Sequence, residues 1–269
     1  MPGHIIFLTL FAALLHAGWN TLLRGGADRL WSMTIMCLTI AVTCIVIALF
    51  LPPPAIASWR YALLSALLHV GYNLCLVRSY QHGELGQTYP IARGSSPLMV
   101  TCGAALFAGE SIDAGTLGGI ALVCAGILLL AAMPGLRYAL ATGVFIAAYS
   151  VVDGMGVRVS GNALAYTVWM SALWGVLMPL LYIALRDGRS LLRRRPGMLH
   201  AAAGGLVSLL AYGIIIYAMT SASMGAVSAL RETSVLFAAV LGALFRGEAL
   251  TLQKVLACAL IAAGTLLIG

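Results

Sequence analysis

The stretch Ala-Leu-Phe-Ala-Gly-Glu at residues 105–110 returns 138 residues later as Ala-Leu-Phe-Arg-Gly-Glu at residues 243–248. Over residues 105–129 the two copies agree at 11 of 25 positions. An apolar composition raises such a count by chance, but the Gly-Glu pair is not apolar. At the same offset Arg93 also falls on Arg231. The chain therefore contains two copies of one unit, which we predict to span residues 1–134 and 135–269.

The composition excludes a water-soluble protein. Of the 269 residues, 62% are hydrophobic and 9% are charged, and the mean hydropathy is +1.02. A soluble domain carries about 25% charged residues, so these charges are too few to cover its surface. The net charge of +7 does not indicate nucleic-acid binding, because Lys and Arg lie in short loops and form no basic face. We therefore predict a surface that faces lipid.

Ten apolar runs are long enough to be membrane helices, which need about 20 residues to cross the hydrocarbon. Continuous runs of this length are too long for the strands of a membrane barrel, so helices satisfy the backbone in lipid. We predict an all-α polytopic membrane protein with ten transmembrane helices, over residues 4–23, 31–51, 60–80, 85–108, 114–132, 137–157, 164–185, 198–219, 223–246 and 251–268.

Five helices per copy have a geometric consequence. After an odd number of crossings the second copy enters the membrane from the opposite side, so we predict two inverted five-helix repeats around a central cavity. Secondary transporters are often built this way, with the substrate site near the midplane between the halves. Eleven Lys and Arg residues lie at the odd-numbered loops and two, Arg60 and Arg158, lie opposite. The positive-inside rule then predicts cytoplasmic odd-numbered loops and both termini on the outer side.

Ionisable side chains deep in a membrane helix are costly, and they mark a pathway or a buried pair. Four remain when those at helix ends are set aside: Arg93 in helix 4, Asp153 in helix 6, and Arg231 and Glu232 in helix 9. Because their charges sum to zero, one interpretation is that they neutralise each other and hold the halves together. The other is that Arg93 or Arg231 binds an anionic group of a substrate, or that Glu232 or Asp153 carries a proton.

A polar and aromatic pattern occurs twice in the first copy. A histidine, an aromatic residue and an asparagine stand at positions i, i+3 and i+4, which share one helix face. Such faces make hydrogen bonds between helices or line a cavity; we favour the cavity, because the two stripes would converge near Arg93. The stripes are His16, Trp19 and Asn20 in helix 1 and His69, Tyr72 and Asn73 in helix 3.

Helix 6 takes the place of helix 1 in the second copy, since Tyr149 aligns with His16 and Asp153 with Asn20 at an offset of 133. Aromatic walls suit amphipathic or cationic solutes through stacking and cation–π contact. We expect the following aromatic residues to complete the substrate-binding cavity: Tyr80, Tyr89, Tyr149, Trp169, Trp174, Tyr212 and Tyr217.

Other features are interpreted structurally. Glu110 and Glu248 lie at helix ends, where an acid favours a helix N-terminus or orients a turn. Helices 5 and 10 are rich in Gly and Ala, so we expect them to be packing helices or to form the contact of a homodimer, and not to line a pore, with a monomer as the alternative. Pro97 should loosen helix 4 near its middle.

Several chemistries are absent from the sequence. No GxxxxGK[ST], HExxH or GxSxG motif occurs, and the five histidines and six cysteines form no cluster with metal-ligand spacing. We therefore predict no catalytic residues, no metal and no cofactor. An intramembrane lipid-modifying enzyme that uses the histidines stays an alternative, because a site can also be assembled in space.

Ten helices in two copies, each with an apolar helix 4, a Gly-Glu pair and a glycine-bearing helix 5, resemble the EamA branch of the drug/metabolite transporter superfamily. The best matches are Pro97, Gly109-Glu110 and Gly247-Glu248, whereas Val235 stands where the second helix proline is typical. The resemblance implies peripheral helices 5 and 10 and export of metabolites, amino acids or cationic drugs such as methyl viologen across the bacterial inner membrane. The segment at residues 16–20 also resembles a subgroup associated with phosphonate utilisation, so an aminophosphonate substrate stays open. The expected partners are a small-molecule substrate and the lipid bilayer, without nucleic acid.

Overall fold

Apolar runs that end at turn-forming residues account for the helices of the computed structural model. It describes residues 1–24, 28–82, 85–129, 136–186, 188–192, 196–237 and 251–268, and within these every regular element is helical. The long helices are α1 (Gly3–Arg24), α2 (Arg29–Ala48), α3 (Trp59–His82), α4 (Leu85–Ala108), α5 (Ala114–Leu129), α6 (Leu136–Arg158), α7 (Ala163–Leu185), α8 (Met198–Ala218), α9 (Met224–Glu232) and α10 (Leu252–Ile268).

The ten predicted helices are confirmed, with small shifts at their ends. A single turn, Arg189–Leu192, precedes α8, and a 3₁₀ turn, Ile56–Ser58, precedes α3. Six helices (α1, α2, α3, α6, α7 and α8) are long and apolar enough to cross a membrane, while α5 and α10 are shorter apolar helices. α9 extends less far than its apolar run: it ends at Glu232, a turn follows at Thr233, and helix resumes over residues 234–237.

Local capping explains where several helices begin. The Asp28 side chain accepts a hydrogen bond from the N–H of Trp31 at the start of α2, and Asn162 caps α7 in the same way. Before α5, the Thr116 hydroxyl and N–H donate to Asp113, which lowers the pKa of that exposed carboxyl. Gly109, with φ of 65°, takes the left-handed conformation that ends α4.

The helices pack in pairs that follow the sequence repeat. α1 packs on α8, and the equivalent helix of the second copy, α6, packs on α3. Likewise α2 contacts α8 while α7 contacts α3. α4 also packs on α6, and its equivalent α9 contacts α1. Three further pairs join equivalent helices to each other: α2 to α7, α4 to α9 and α5 to α10. Exchanging the two copies therefore maps this set of contacts onto itself, and the two halves enclose the centre of the bundle together.

The glycine faces of α5 and α10 are used within the chain. A Cβ atom on Gly264 would lie 2.6 Å from the carbonyl oxygen of Gly119, and one on Gly126 would lie 2.8 Å from that of Ala257. Gly126 and Gly264 are repeat-equivalent, and so are Gly119 and Ala257, so the two contacts are related by the repeat. Close approach of the two backbones thus explains the small residues that the sequence singles out.

Candidate functional site

The most deeply buried charges meet where α4 contacts α9. Arg93 Nη1 donates to both carboxylate oxygens of Glu232, at 3.0 and 2.9 Å. Arg231 donates to Glu232 Oε1 from Nε at 3.1 Å and from Nη2 at 2.9 Å. Glu232 is fully buried, and both arginines are 2% exposed. Two repeat-equivalent arginines therefore share one carboxylate, and the three groups carry one net positive charge.

The charged cluster lies close to a proline in α4 and directly before the end of α9. Pro97 has no N–H to donate to the carbonyl oxygen of Arg93, and the Ser96 hydroxyl donates to that oxygen instead, at 3.2 Å. α4 stays helical there, with the carbonyl oxygen that Pro97 cannot bind taken by a side chain, and the loosening of the helix stays a prediction. In α9 the break follows the charged pair directly, and the Thr233 hydroxyl donates to the Leu230 carbonyl at 2.6 Å. Broken helices of this kind commonly form the substrate sites of transporters.

Arg231 also lines a cavity of about 60 Å³ at the centre of the bundle. That volume holds about two water molecules, so the space between the described residues is smaller than a metabolite. The Arg231 Nε and Nη2 groups are engaged by Glu232, and Nη1 makes no hydrogen bond to the residues that the structure describes. Trp174 lines the same cavity, and its indole N–H has no partner within that part of the chain. The cavity therefore holds two hydrogen-bond donors with nothing to accept from them.

His16 adds to this excess of donors. The Trp19 indole N–H donates to His16 Nδ1 at 3.0 Å, and His16 Nε2 contacts Arg93 Nη2. A neutral imidazole has one acceptor nitrogen, whereas two donors approach this ring. Asn20, the third member of the stripe, donates to the carbonyl oxygen of His16 within its own helix at 2.8 Å. His16 and Trp19 thus line the cavity, and Asn20 does not.

Stacked rings form the opposite wall. The His69 ring lies between Tyr149, at 4.1 Å between centroids, and Trp174, at 5.3 Å, and both pairs are stacked. Tyr212 meets His69 edge-on at 5.3 Å, and Tyr72 meets Tyr149 edge-on at 5.5 Å. His69 Nδ1 is held 2.9 Å from the carbonyl oxygen of Ser65, which fixes the plane of the stack. The wall offers flat apolar faces to an aromatic or aliphatic group.

Asp153 lies apart from the other charges. It is fully buried, and its oxygens accept hydrogen bonds from the Tyr166 hydroxyl at 2.9 Å and the Tyr212 hydroxyl at 2.6 Å. Asp153 does not line the cavity, but Tyr212 does. The interpretation that all four deep charges neutralise each other is therefore wrong for Asp153 among the described residues. The other three pair with one another, but they keep one net positive charge.

Most of the predicted site residues meet at one place. The cavity is lined by His16, Trp19, His69, Tyr72, Asn73, Tyr149, Tyr212 and Arg231. Arg93 and Glu232 lie behind Arg231, whereas Trp169 packs edge-on against Trp59 at 5.5 Å and contributes nothing to the lining. The side chains of Tyr80 and Tyr89, like residues 247 and 248, fall outside the described part of the chain.

Sequence reasoning missed the contribution of α2. Met33, Met36, Cys37 and Ile40 line the cavity from one face of that helix, and Ser171, Ser208 and Leu209 complete it from α7 and α8. The spacing i, i+3, i+4 and i+7 is the signal that could have found the α2 face. These side chains are apolar, so nothing in the sequence separated them from ordinary core residues.

A second polar cluster joins the two halves away from the cavity. Glu110 Oε1 lies 2.5 Å from Arg158 Nη2, and Glu110 Oε2 accepts from the N–H of Met224 at 3.0 Å. Arg158 also donates to the carbonyl oxygens of Met219 and Ala222, both at 3.0 Å. The expectation of an acid at a helix N-terminus fits Glu110, but the helix is α9 of the other copy. We call this cluster the latch.

The model of the EamA-like transporter family matches the chain twice, over residues 3–132 and 133–269. The chain belongs to this family. It is therefore a membrane transporter of the drug/metabolite transporter superfamily, whose members are built from two repeats of five helices. Membership of the family does not define the substrate. The predicted boundary between residues 134 and 135 touches residues that the structure does not describe, and it stays a prediction.

Solved structures share this fold. One, described as "Crystal structure of protein", aligns with a TM-score of 0.75 and 20% identity over 98% of this chain and 94% of that one. At this identity the likeness concerns the architecture alone. The search of curated proteins finds no match for the chain.

Proposed function

We propose that this transporter moves amino acids, aromatic ones included, and related amphipathic metabolites by alternating access. Export across the inner membrane is the direction that the sequence resemblance implies. One observation carries the proposal: Arg231 Nη1 and the Trp174 indole N–H, neither of which has a partner among the described residues, belong to side chains that line one cavity beside a stack of aromatic rings. An anionic group next to an apolar side chain complements both features.

The charge of the cluster supports an anionic group on the substrate. Arg93, Arg231 and Glu232 carry one net positive charge in a site with little water, and one carboxylate would neutralise it. A guanidinium presents its donors in a fork that matches a carboxylate or a phosphonate. Both amino acids and aminophosphonates therefore fit this end of the cavity, and a substrate panel distinguishes them.

Cationic drugs such as methyl viologen receive less support. Glu232 is engaged by two arginines, and Asp153 is engaged by two tyrosine hydroxyls and stands behind the cavity wall. A dication would meet Arg231 before either acid. The aromatic wall alone would have to hold it, through cation–π contacts.

The small volume of the cavity supports alternating access. A space of about 60 Å³ is smaller than any amino acid, so helices must separate before a substrate enters. The contacts that relate the two copies supply two similar arrangements for such a change. The odd-numbered loops would then face the cytoplasm, and both termini the outer side. Oligomeric state stays open between a monomer and a homodimer through α5 and α10, whose glycine faces already pack on each other.

Proteoliposomes test the function directly. We expect purified protein to exchange labelled L-phenylalanine or 2-aminoethylphosphonate faster than empty liposomes, and to exchange methyl viologen poorly. Arg231→Lys keeps the charge but loses the fork, so we expect at least a tenfold loss of exchange. Arg186→Lys is the matched control, because Arg186 lies in an exposed ion pair with Asp28. Failure to move any zwitterion would refute the proposal, and turnover of a lipid in detergent that depends on His16 or His69 would favour the intramembrane enzyme.

A further inference from the structure

The two deep acids of this transporter have opposite surroundings. Glu232 accepts four hydrogen bonds from two guanidinium groups. Asp153 is equally buried, but within the described residues it is bonded by the hydroxyls of Tyr166, Tyr212 and Ser65, and no basic group contacts it. Glu232 therefore has its charge neutralised by the protein, and Asp153 does not. A buried carboxylate without a cation takes up a proton or a cationic ligand to become neutral.

The neighbours of Asp153 come from every helix packed against α6. α7 contributes the Tyr166 hydroxyl, and α8 contributes the Tyr212 hydroxyl. On α3 the nearby ionisable group is His69, whose Nδ1 is held by Ser65. On α6 itself Tyr149 stacks on His69.

The buried charged groups of α4 and α9 bind partners other than Asp153. These are Arg93, Arg231 and Glu232, and they bond to one another and not to Asp153. Among the described residues, no basic side chain thus takes the place of a proton on this carboxyl.

Asp153 is connected to the cavity through one side chain, that of Tyr212. The Tyr212 ring lines the cavity, and its hydroxyl donates to Asp153 Oδ2 at 2.6 Å. The faces of Tyr149 and Trp174, which attract a cation, line the same side. The cavity therefore has a positive end at Arg231 and a negative side behind Tyr212, an arrangement that complements a zwitterion.

We infer that Asp153 is the coupling site of the transporter, where a proton and the ammonium group of an amino acid exclude each other. The inference rests on the proposed transport of amino acids. When Asp153 is ionised, the substrate brings a carboxylate to the arginine cluster and an ammonium to the Tyr212 side of the cavity, where the charge of Asp153 lies one side chain away, and all charges are balanced. When Asp153 is protonated, the ammonium group is uncompensated. One proton entering from outside then exchanges for one zwitterion leaving, and an inward proton gradient drives export.

Proton release on binding tests this coupling. Purified protein in weakly buffered detergent receives L-phenylalanine or 3-phenylpropionate, which has the same ring and carboxylate but no ammonium group. Between pH 5 and 8 we expect phenylalanine to release up to one proton per bound molecule and phenylpropionate to release none. Asp153→Asn should bind phenylpropionate as the wild type does, bind phenylalanine about tenfold more weakly, and release no proton with either ligand.

A second variant keeps the test decisive if Asp153→Asn does not fold. Tyr212→Phe retains the ring but removes a hydrogen bond to ionised Asp153, so the midpoint of proton release should move to higher pH. Asp113→Asn, which removes an exposed acid outside the cavity, is the matched control and should behave as the wild type.

The outcomes separate the two proposals. Phenylalanine binding without proton release at any pH, or an unmoved midpoint in Tyr212→Phe, would overturn the role of Asp153 and leave the transport proposal intact. If the wild type binds neither ligand nor any other zwitterion of the panel, the proposed function itself is wrong.

Discussion

Replacing Glu232 with Gln tests how the deep charges are held. The change keeps the size of the side chain and removes its charge, so Arg93 and Arg231 lose the one carboxylate that they share. All four hydrogen bonds at this carboxylate come from charged donors, between 2.9 and 3.1 Å. Glutamine can accept at one oxygen only, and its NH₂ group would face guanidinium donors. Two positive charges would then remain in a site that is 2% exposed or less.

The expected loss of stability follows from that arrangement. Breaking a buried ion pair by removing one partner costs about 3–5 kcal/mol. For a chain of this size, 1 kcal/mol corresponds to a change in Tm of about 2–4 °C, so Glu232→Gln should lower Tm by about 6–20 °C. The double variant Arg93→Gln with Glu232→Gln restores the net charge of the cluster, and it should recover part of the loss.

Intrinsic fluorescence of the five tryptophans, followed on heating in detergent, measures these changes. The matched control is again Asp113→Asn, an exposed acid, which should shift Tm by about 1 °C or less. A Glu232→Gln variant that melts with the wild type would refute the reasoning, because it would mean that the arginines do not depend on this carboxylate. Equal Tm values for the single and double variants would show that charge balance is not the cause.

Three further changes test other parts of the structure. Gly119→Ala places a methyl group 2.7 Å from a carbonyl oxygen of α10 and should cost about 1–3 kcal/mol in thermal unfolding, whereas Gly118→Ala meets nothing within 4 Å and should be neutral. Trp174→Phe keeps a ring but loses the indole N–H, so equilibrium binding of a carboxylate substrate should weaken about tenfold; unchanged affinity would contradict the assignment. Glu110→Gln breaks the latch and should raise the rate of thiol labelling at Cys37 in the cavity about two- to fivefold, and an unaltered rate would show that the latch does not hold the cavity closed.

The fold could be predicted because its signals are local and long. A helix that crosses lipid needs an unbroken apolar run, and the repeat at an offset of 138 residues groups these runs in fives. The break at Thr233 could not be predicted, since the run through residues 223–246 contains no proline. The turn there follows the charged pair of α9, and Glu232 of that pair is bonded to Arg93, 139 residues away along the chain.

The site was predictable only in part, because direction around a helix axis is harder to infer than position along it. Trp169 and Trp174 are five residues apart, so they point about 140° away from each other. Nothing in the sequence decides which of them faces the centre, and the structure turns Trp174 towards the cavity and Trp169 towards Trp59. Similarly, the balance of four charges predicts pairing, but it does not reveal that Asp153 is bonded to hydroxyls alone among the described residues.

The two copies differ at the positions of the buried acids. Arg93 and Arg231 are equivalent, but the position equivalent to Glu232 is Gly94, and the position equivalent to Asp153 is Asn20. If the two copies were identical here, the two arginines would have either no carboxylate or two. In neither case would one bound substrate carboxylate make the site neutral. With both deep acids in the second copy, a change of protonation acts on one half of the molecule only. Related helices can then supply two similar conformations, while the unequal charges make their relative energy depend on the proton.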